Sequence, residues 1–119
     1  MMSHPDACTI LTRMEVSLHE TLHNLYKLER SLRDRAETET IDSHPKMRRY
    51  NRRMSNWTGK DEKTYLRTLD RLTDNAAADL DRLRRKIERQ DAAVEDQRVL
   101  HERQLEVLRV ALCLFVSLL

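Results

Sequence analysis

The sequence predicts an all-α protein, a helical hairpin or coiled coil with one long C-terminal helix. Three observations carry this reading: a single Gly and two Pro in 119 residues, charged residues at 35%, and leucines recurring at steps of three and four. So few turn residues argue against a strand-rich fold, and the regular apolar spacing separates the chain from plain disorder. A chain of this length holds one domain, residues 1–119. A compact three-helix bundle is the alternative arrangement of the same helices.

The first helix is expected over about residues 5–38. Ser3 is its candidate cap, Pro5 suits the first turn, and Asp6 completes an S-x-x-D capping pattern. Leu11, Met14, Leu18, Leu25, Leu28 and Leu32 then form a heptad seam, with Thr21 as its one weak position. The period is lost over residues 37–42, and Ser43-His44-Pro45 repeats the opening Ser3-His4-Pro5.

A short basic helix is expected over about residues 45–57. Met47, Tyr50, Met54 and Trp57 share one face of it, and Lys46, Arg48, Arg49, Arg52 and Arg53 occupy the others. Thr58-Gly59 would end it, with Gly59 as a left-handed cap. Residues 43–60 hold six Lys and Arg and no acid, whereas the other 16 basic residues are outnumbered by 20 acidic ones. This segregation marks Lys46, Arg48, Arg49, Arg52 and Arg53 as candidate anion-binding residues, for nucleic acid or an anionic membrane surface. The cluster also resembles a nuclear localisation signal.

A long helix is expected over about residues 61–118, a stretch without Gly or Pro. One seam position holds Leu66, Leu80, Ile87, Val94, Leu108 and Phe115, with Thr73 and His101 as polar breaks. The other holds Leu69, Ala76 and Leu83, then Gln90, Gln97 and Gln104, then Ala111 and Leu118. The glutamines either set register in a continuous helix or mark a bend near residues 90–95. Leu69-Asp70-Arg71-Leu72 recurs eleven residues later as Leu80-Asp81-Arg82-Leu83. Residues 110–119 carry no charge and are apolar on all sides, so they need cover from an oligomer, a partner or lipid.

His19-Glu20-Thr21-Leu22-His23 matches H-E-x-x-H, the helical motif of zinc hydrolases, and makes His19 and His23 candidate metal ligands. The continuation that metzincins require is lacking, since Tyr26 and Glu29 stand where Gly and His would follow. Both histidines also fall off the seam, which reads more simply as a solvated polar face. Glu20-x-x-His23 has no second copy to complete a di-iron bundle. His101, between Gln97 and Gln104, is a candidate pH-sensitive layer. No glycine-rich phosphate loop is present.

The pattern resembles helical-hairpin subunits of coiled-coil assemblies. Non-catalytic scaffolding follows as the expected function, with Leu80, Leu83, Ile87, Leu108, Leu112 and Phe115 as the interface. The expected partner is the chain itself, as a homo-oligomer, or another helical protein; no cofactor and no small-molecule substrate are expected. Cys8 and Cys113 do not make the dense disulfide framework of a small secreted domain, which favours an intracellular setting, cytoplasmic or nuclear. The first residues lack the apolar core of a secretory signal. The apolar C-terminal run is also shorter than the roughly 20 residues that cross a bilayer.

Overall fold

The computed structural model describes residues 6–119. Among them are three helices and no strand: α1 (Ala7–Ser43), α2 (Gly59–Asn75) and α3 (Ala77–Leu118). The fold is all-α, of the helical-hairpin class, with a long C-terminal helix. The chain divides into two compact units, one of residues up to Leu22 with Arg85–Leu119, the other of His23–Arg84.

Ser3 and Pro5, the expected cap and first-turn residue, lie outside the described residues. Asp6 itself caps α1. Its Oδ1 accepts the Thr9 N–H at 2.7 Å, and its carbonyl accepts the Ile10 N–H at 3.0 Å. The Thr9 hydrogen bond holds the Asp6 carboxyl below its ordinary range, and the charge of His101 adds to this.

α1 runs past the expected end near Thr38 to Ser43. Its polar last turns are satisfied from within, because the hydroxyls of Thr38, Thr40 and Ser43 donate to carbonyls four residues earlier at 2.8–2.9 Å. The buried face also persists there by steps of four through Leu32, Ala36 and Thr40. Threonine and alanine supply that face, so no leucine stripe announces it.

Residues 44–58 do not form the expected basic helix. They make a loop of isolated turns, with Met54 N–H bonded to the Asn51 carbonyl and Trp57 N–H to that of Met54. One local choice works against a helix here: the Asn51 side chain accepts the Arg53 N–H at 2.9 Å in place of a helical partner. The expected apolar stripe is divided accordingly: Tyr50 is buried and Trp57 half-buried, while Met47 and Met54 are exposed.

Gly59 opens α2 instead of closing a helix before it, and no residue described has a positive φ. Thr58 is the cap. Its hydroxyl accepts the Asp61 N–H at 3.2 Å, and Asp61 accepts the Thr58 N–H at 2.8 Å, closing a capping box.

The helix expected over residues 61–118 is interrupted at Ala76, where the backbone departs to φ −95° and ψ 4°. The Ala76 N–H is shared between the carbonyls of Leu72 and Thr73 at 3.0 and 3.2 Å. The alternative bend near residues 90–95 is absent, since α3 is continuous there. The buried face explains why a heptad reading fails across α2. Its positions are Asp61, Tyr65, Leu69, Leu72, Ala76, Leu80 and Leu83, at steps of four, four and three, an eleven-residue period. The repeated Leu-Asp-Arg-Leu is that period in the sequence. Leu66, assigned to the seam by the heptad frame, is 48% exposed.

In the unit His23–Arg84, Leu32, Ala36, Tyr65, Leu72 and Leu80 form the core, with Leu25, Leu28, Trp57, Leu69 and Ala76 packed against it. Each large side chain buried this way contributes about 1.5–3 kcal/mol. The other unit is a leaner two-helix seam. Leu11, Met14, Leu18 and Thr21 of α1 are shielded on one side, and Ile87, Gln90, Val94, Gln97 and His101 of α3 on the other, yet only Thr21 and Val94 are fully buried. Gln90 donates to Ser17 Oγ at 3.0 Å and Arg98 pairs with Glu15 at 3.4 Å, so the helices run antiparallel here.

Candidate interaction surfaces

The shielding of α3 stops at His101. Every residue of 102–119 is exposed, although the helix continues to Leu118. Leu108, Leu112 and Phe115 are each 60–64% exposed. From Glu106 onward the charged and hydroxyl side chains are engaged within the helix: Arg109 pairs with Glu106 at 2.6 Å, and Ser117 donates to the Cys113 carbonyl at 2.9 Å. What it offers a partner is therefore apolar surface. The six expected interface residues separate into two groups. Leu80 lies in the core of the unit His23–Arg84, and Leu83 and Ile87 are half-buried, so only Leu108, Leu112 and Phe115 present open surface.

The five expected anion-binding residues also divide. Lys46 Nζ bonds Asp61 Oδ2 at 2.7 Å, also donates to the Asn56 carbonyl, and lies 4.2 Å over the Tyr50 ring. Asp61 is almost wholly buried, and the Lys46 ammonium together with the Thr58 N–H holds its carboxyl down to about 2. Tyr50 donates to the His44 carbonyl at 2.6 Å, and burial pushes its hydroxyl up, with the Asp61 charge adding to the effect.

Arg52 bonds Glu62 through Nε and Nη2 and stacks 4.2 Å over Tyr65. Glu62 also accepts the Trp57 indole N–H at 2.8 Å, and Arg52 first, then Trp57, lowers its carboxyl. Lys46 and Arg52 thus clamp the loop to α2. Arg48, Arg49 and Arg53 are exposed, with no acid at ion-pair distance among the described residues.

The fold adds two cations that the sequence pattern does not single out. Arg30 and Arg33 of α1 join Arg53 and Tyr26 around an open cleft of about 750 Å³, which Asp34 and Glu37 also line. Their spacing on one helix face is legible, but their meeting with residue 53 depends on the loop's path.

His19, Glu20 and His23 are exposed on α1. Among the described residues, no three His, Cys, Asp or Glu side chains gather into a metal-holding group. His101 is half-buried at the end of the seam. Cys8 and Cys113 are free and exposed, and no described helix is long and apolar enough to cross a membrane. Comparison with known proteins finds no matching family model, no similar curated protein and no similar solved structure.

Proposed function

We propose that this chain is a non-catalytic assembly subunit that works through helix–helix contacts and docks by the apolar C-terminal segment of α3. One observation carries the reading: residues 102–119 are all exposed, helical as far as Leu118, and include ten large apolar side chains from Leu105 onward. A continuous apolar surface of this kind is stable in water only when covered. The groups on offer supply burial energy and no acid–base chemistry. An intracellular setting goes with this reading, on the sparse, widely separated cysteines.

Leu112→Asp with Phe115→Asp tests it. The wild type is expected to run above the mass of one chain by light scattering, or to bind a hydrophobic-surface dye strongly, and the double variant to do neither. A wild type that runs as one chain and binds dye no better than the variant overturns the reading.

A second reading, anion binding, is favoured by exposed Arg48, Arg49 and Arg53, of which Arg53 lines the same cleft as Arg30 and Arg33. Binding to a single-stranded oligonucleotide or to phosphatidylserine vesicles should then weaken steeply with salt. Salt-independent binding, or none, removes this reading.

A further inference from the structure

We infer that the C-terminal segment of α3 pairs with the same segment of a second copy of this chain, running antiparallel, through Leu105, Leu108, Leu112 and Phe115. The inference rests on the docking function proposed above and adds the identity and direction of the partner.

Continuity with the existing seam carries the first step. Ile87, Gln90, Val94, Gln97 and His101 are the shielded positions of α3 opposite α1, at steps of three and four. From His101 the apolar face goes on to Leu105, Leu108, Leu112, Phe115 and Leu119 at steps of four and three. These five are 53–92% exposed. The seam therefore outlasts the helix that covers it, because α1 begins at Ala7 and its cap Asp6 lies near enough to His101 to feel its charge. A helix laid along the open part of the seam meets the geometry that α1 already uses, knobs at a and d positions facing holes.

Direction follows from where α1 stands. A partner segment running parallel would bring its own α1 to the level of His101, and two covered seams would crowd one another. An antiparallel partner sends its α1 to the far end of the paired segments, about 25 Å away for 17 residues at ~1.5 Å each. In that orientation a-to-d pairing sets Leu105 opposite Phe115 and Leu108 opposite Leu112, twice each by symmetry. Leu119 comes to the level of the partner copy's seam end. Arg109 is already neutralised by Glu106 on its own helix, which limits repulsion across the two-fold axis. Val107, Val110 and Leu114 remain on the opposite face, where a second pair can stack to make four tails.

The test uses the full chain with Cys8→Ser and Cys113→Ser, single cysteines at Leu105→Cys or Phe115→Cys, and mild oxidation, with light scattering on the wild type. The expected result is a mass of two or four chains, with disulfides forming when the Leu105→Cys and Phe115→Cys proteins are mixed and not within either alone. Self-crosslinking of each variant alone means a parallel pair and overturns the inference, while leaving the docking function intact. A single-chain mass with strong dye binding also overturns it and leaves docking to another partner. A single-chain mass without dye binding overturns both.

Discussion

The ammonium of Lys46 lies 2.7 Å from a carboxylate oxygen of Asp61, a side chain that is 1% exposed. The same carboxylate closes the capping box with Thr58, so one group fixes the start of α2 and anchors the loop before it. Its folded-state carboxyl titrates near 2, against an ordinary value near 3.8. A carboxyl depressed on folding stabilises the fold above its unfolded value and loses that contribution as pH falls through the folded one. Asp6 and Glu62 are shifted in the same direction. Stability measured by urea unfolding is therefore expected to be flat from neutral pH to about 5 and to fall between about 4 and 2. Asp61→Asn should be less stable at pH 7 and lose less over that window; an equal loss in both proteins would remove Asp61 as the source.

Thr58 and Gly59 are predicted to respond in opposite directions. Thr58→Ala removes the hydroxyl that accepts the Asp61 N–H and should cost about 1 kcal/mol. Gly59→Ala should stabilise by about 0.5–1 kcal/mol, because the residue is helical, has no positive φ, and an added Cβ meets nothing within 4 Å. Were Gly59 the left-handed cap that its place in the sequence suggests, the alanine variant would instead be destabilised. Thermal unfolding of the two variants decides the sign.

These two residues also mark where the sequence is legible. The seams of α1 and of α3 from Leu80 to His101 can be read directly from apolar residues at fixed steps, whereas beyond His101 the heptad frame names Gln104, Ala111 and Leu118 while the apolar face runs through Leu105, Leu112 and Leu119. Thr58-x-x-Asp61 has the spacing of a capping box, but Gly59 between them points just as readily to a helix end. The loop is less accessible. Met47, Tyr50, Met54 and Trp57 do have helical spacing, but the contacts of Lys46 and Arg52 with Asp61 and Glu62 of α2, and the Tyr50 bond to the His44 carbonyl within the loop, outweigh it. The open tail can be located from composition alone. That Leu80 serves the chain's own core and Leu108 does not depends on where α1 begins, which no periodicity encodes.

Gln90 is the weak layer of the two-helix seam. Its amide nitrogen donates to Ser17 Oγ at 3.0 Å, while its oxygen is buried without a partner. Gln90→Leu exchanges that cost for apolar burial beside Val94 and should raise stability by roughly 1–2 kcal/mol, with the exposed Ser17 hydroxyl turning to water. Guanidinium unfolding with an unchanged m-value would show a gain in stability alone. A decrease would mean that the glutamine holds the register of the seam.

The arginines of the loop should divide by role. Arg48, Arg49 and Arg53 make no ion pair among the described residues, so replacing all three by Ser should leave Tm nearly unchanged, within the ±0.5 kcal/mol or so usual at such surface sites. Arg52→Ser removes the Glu62 pair and the stacking on Tyr65 and should cost about 1–2 kcal/mol. Lys46→Met should be destabilising because it leaves the Asp61 carboxylate buried without its cation. If the anion reading is correct, the triple variant loses oligonucleotide or phosphatidylserine-vesicle binding, and the slope of that binding against salt flattens by about one for each arginine that had neutralised a phosphate. Arg52→Ser would unsettle the loop yet keep most of that binding. A triple variant with a much lower Tm would show that these three arginines hold the loop in place, and its weaker binding would then say nothing of an anion touching them.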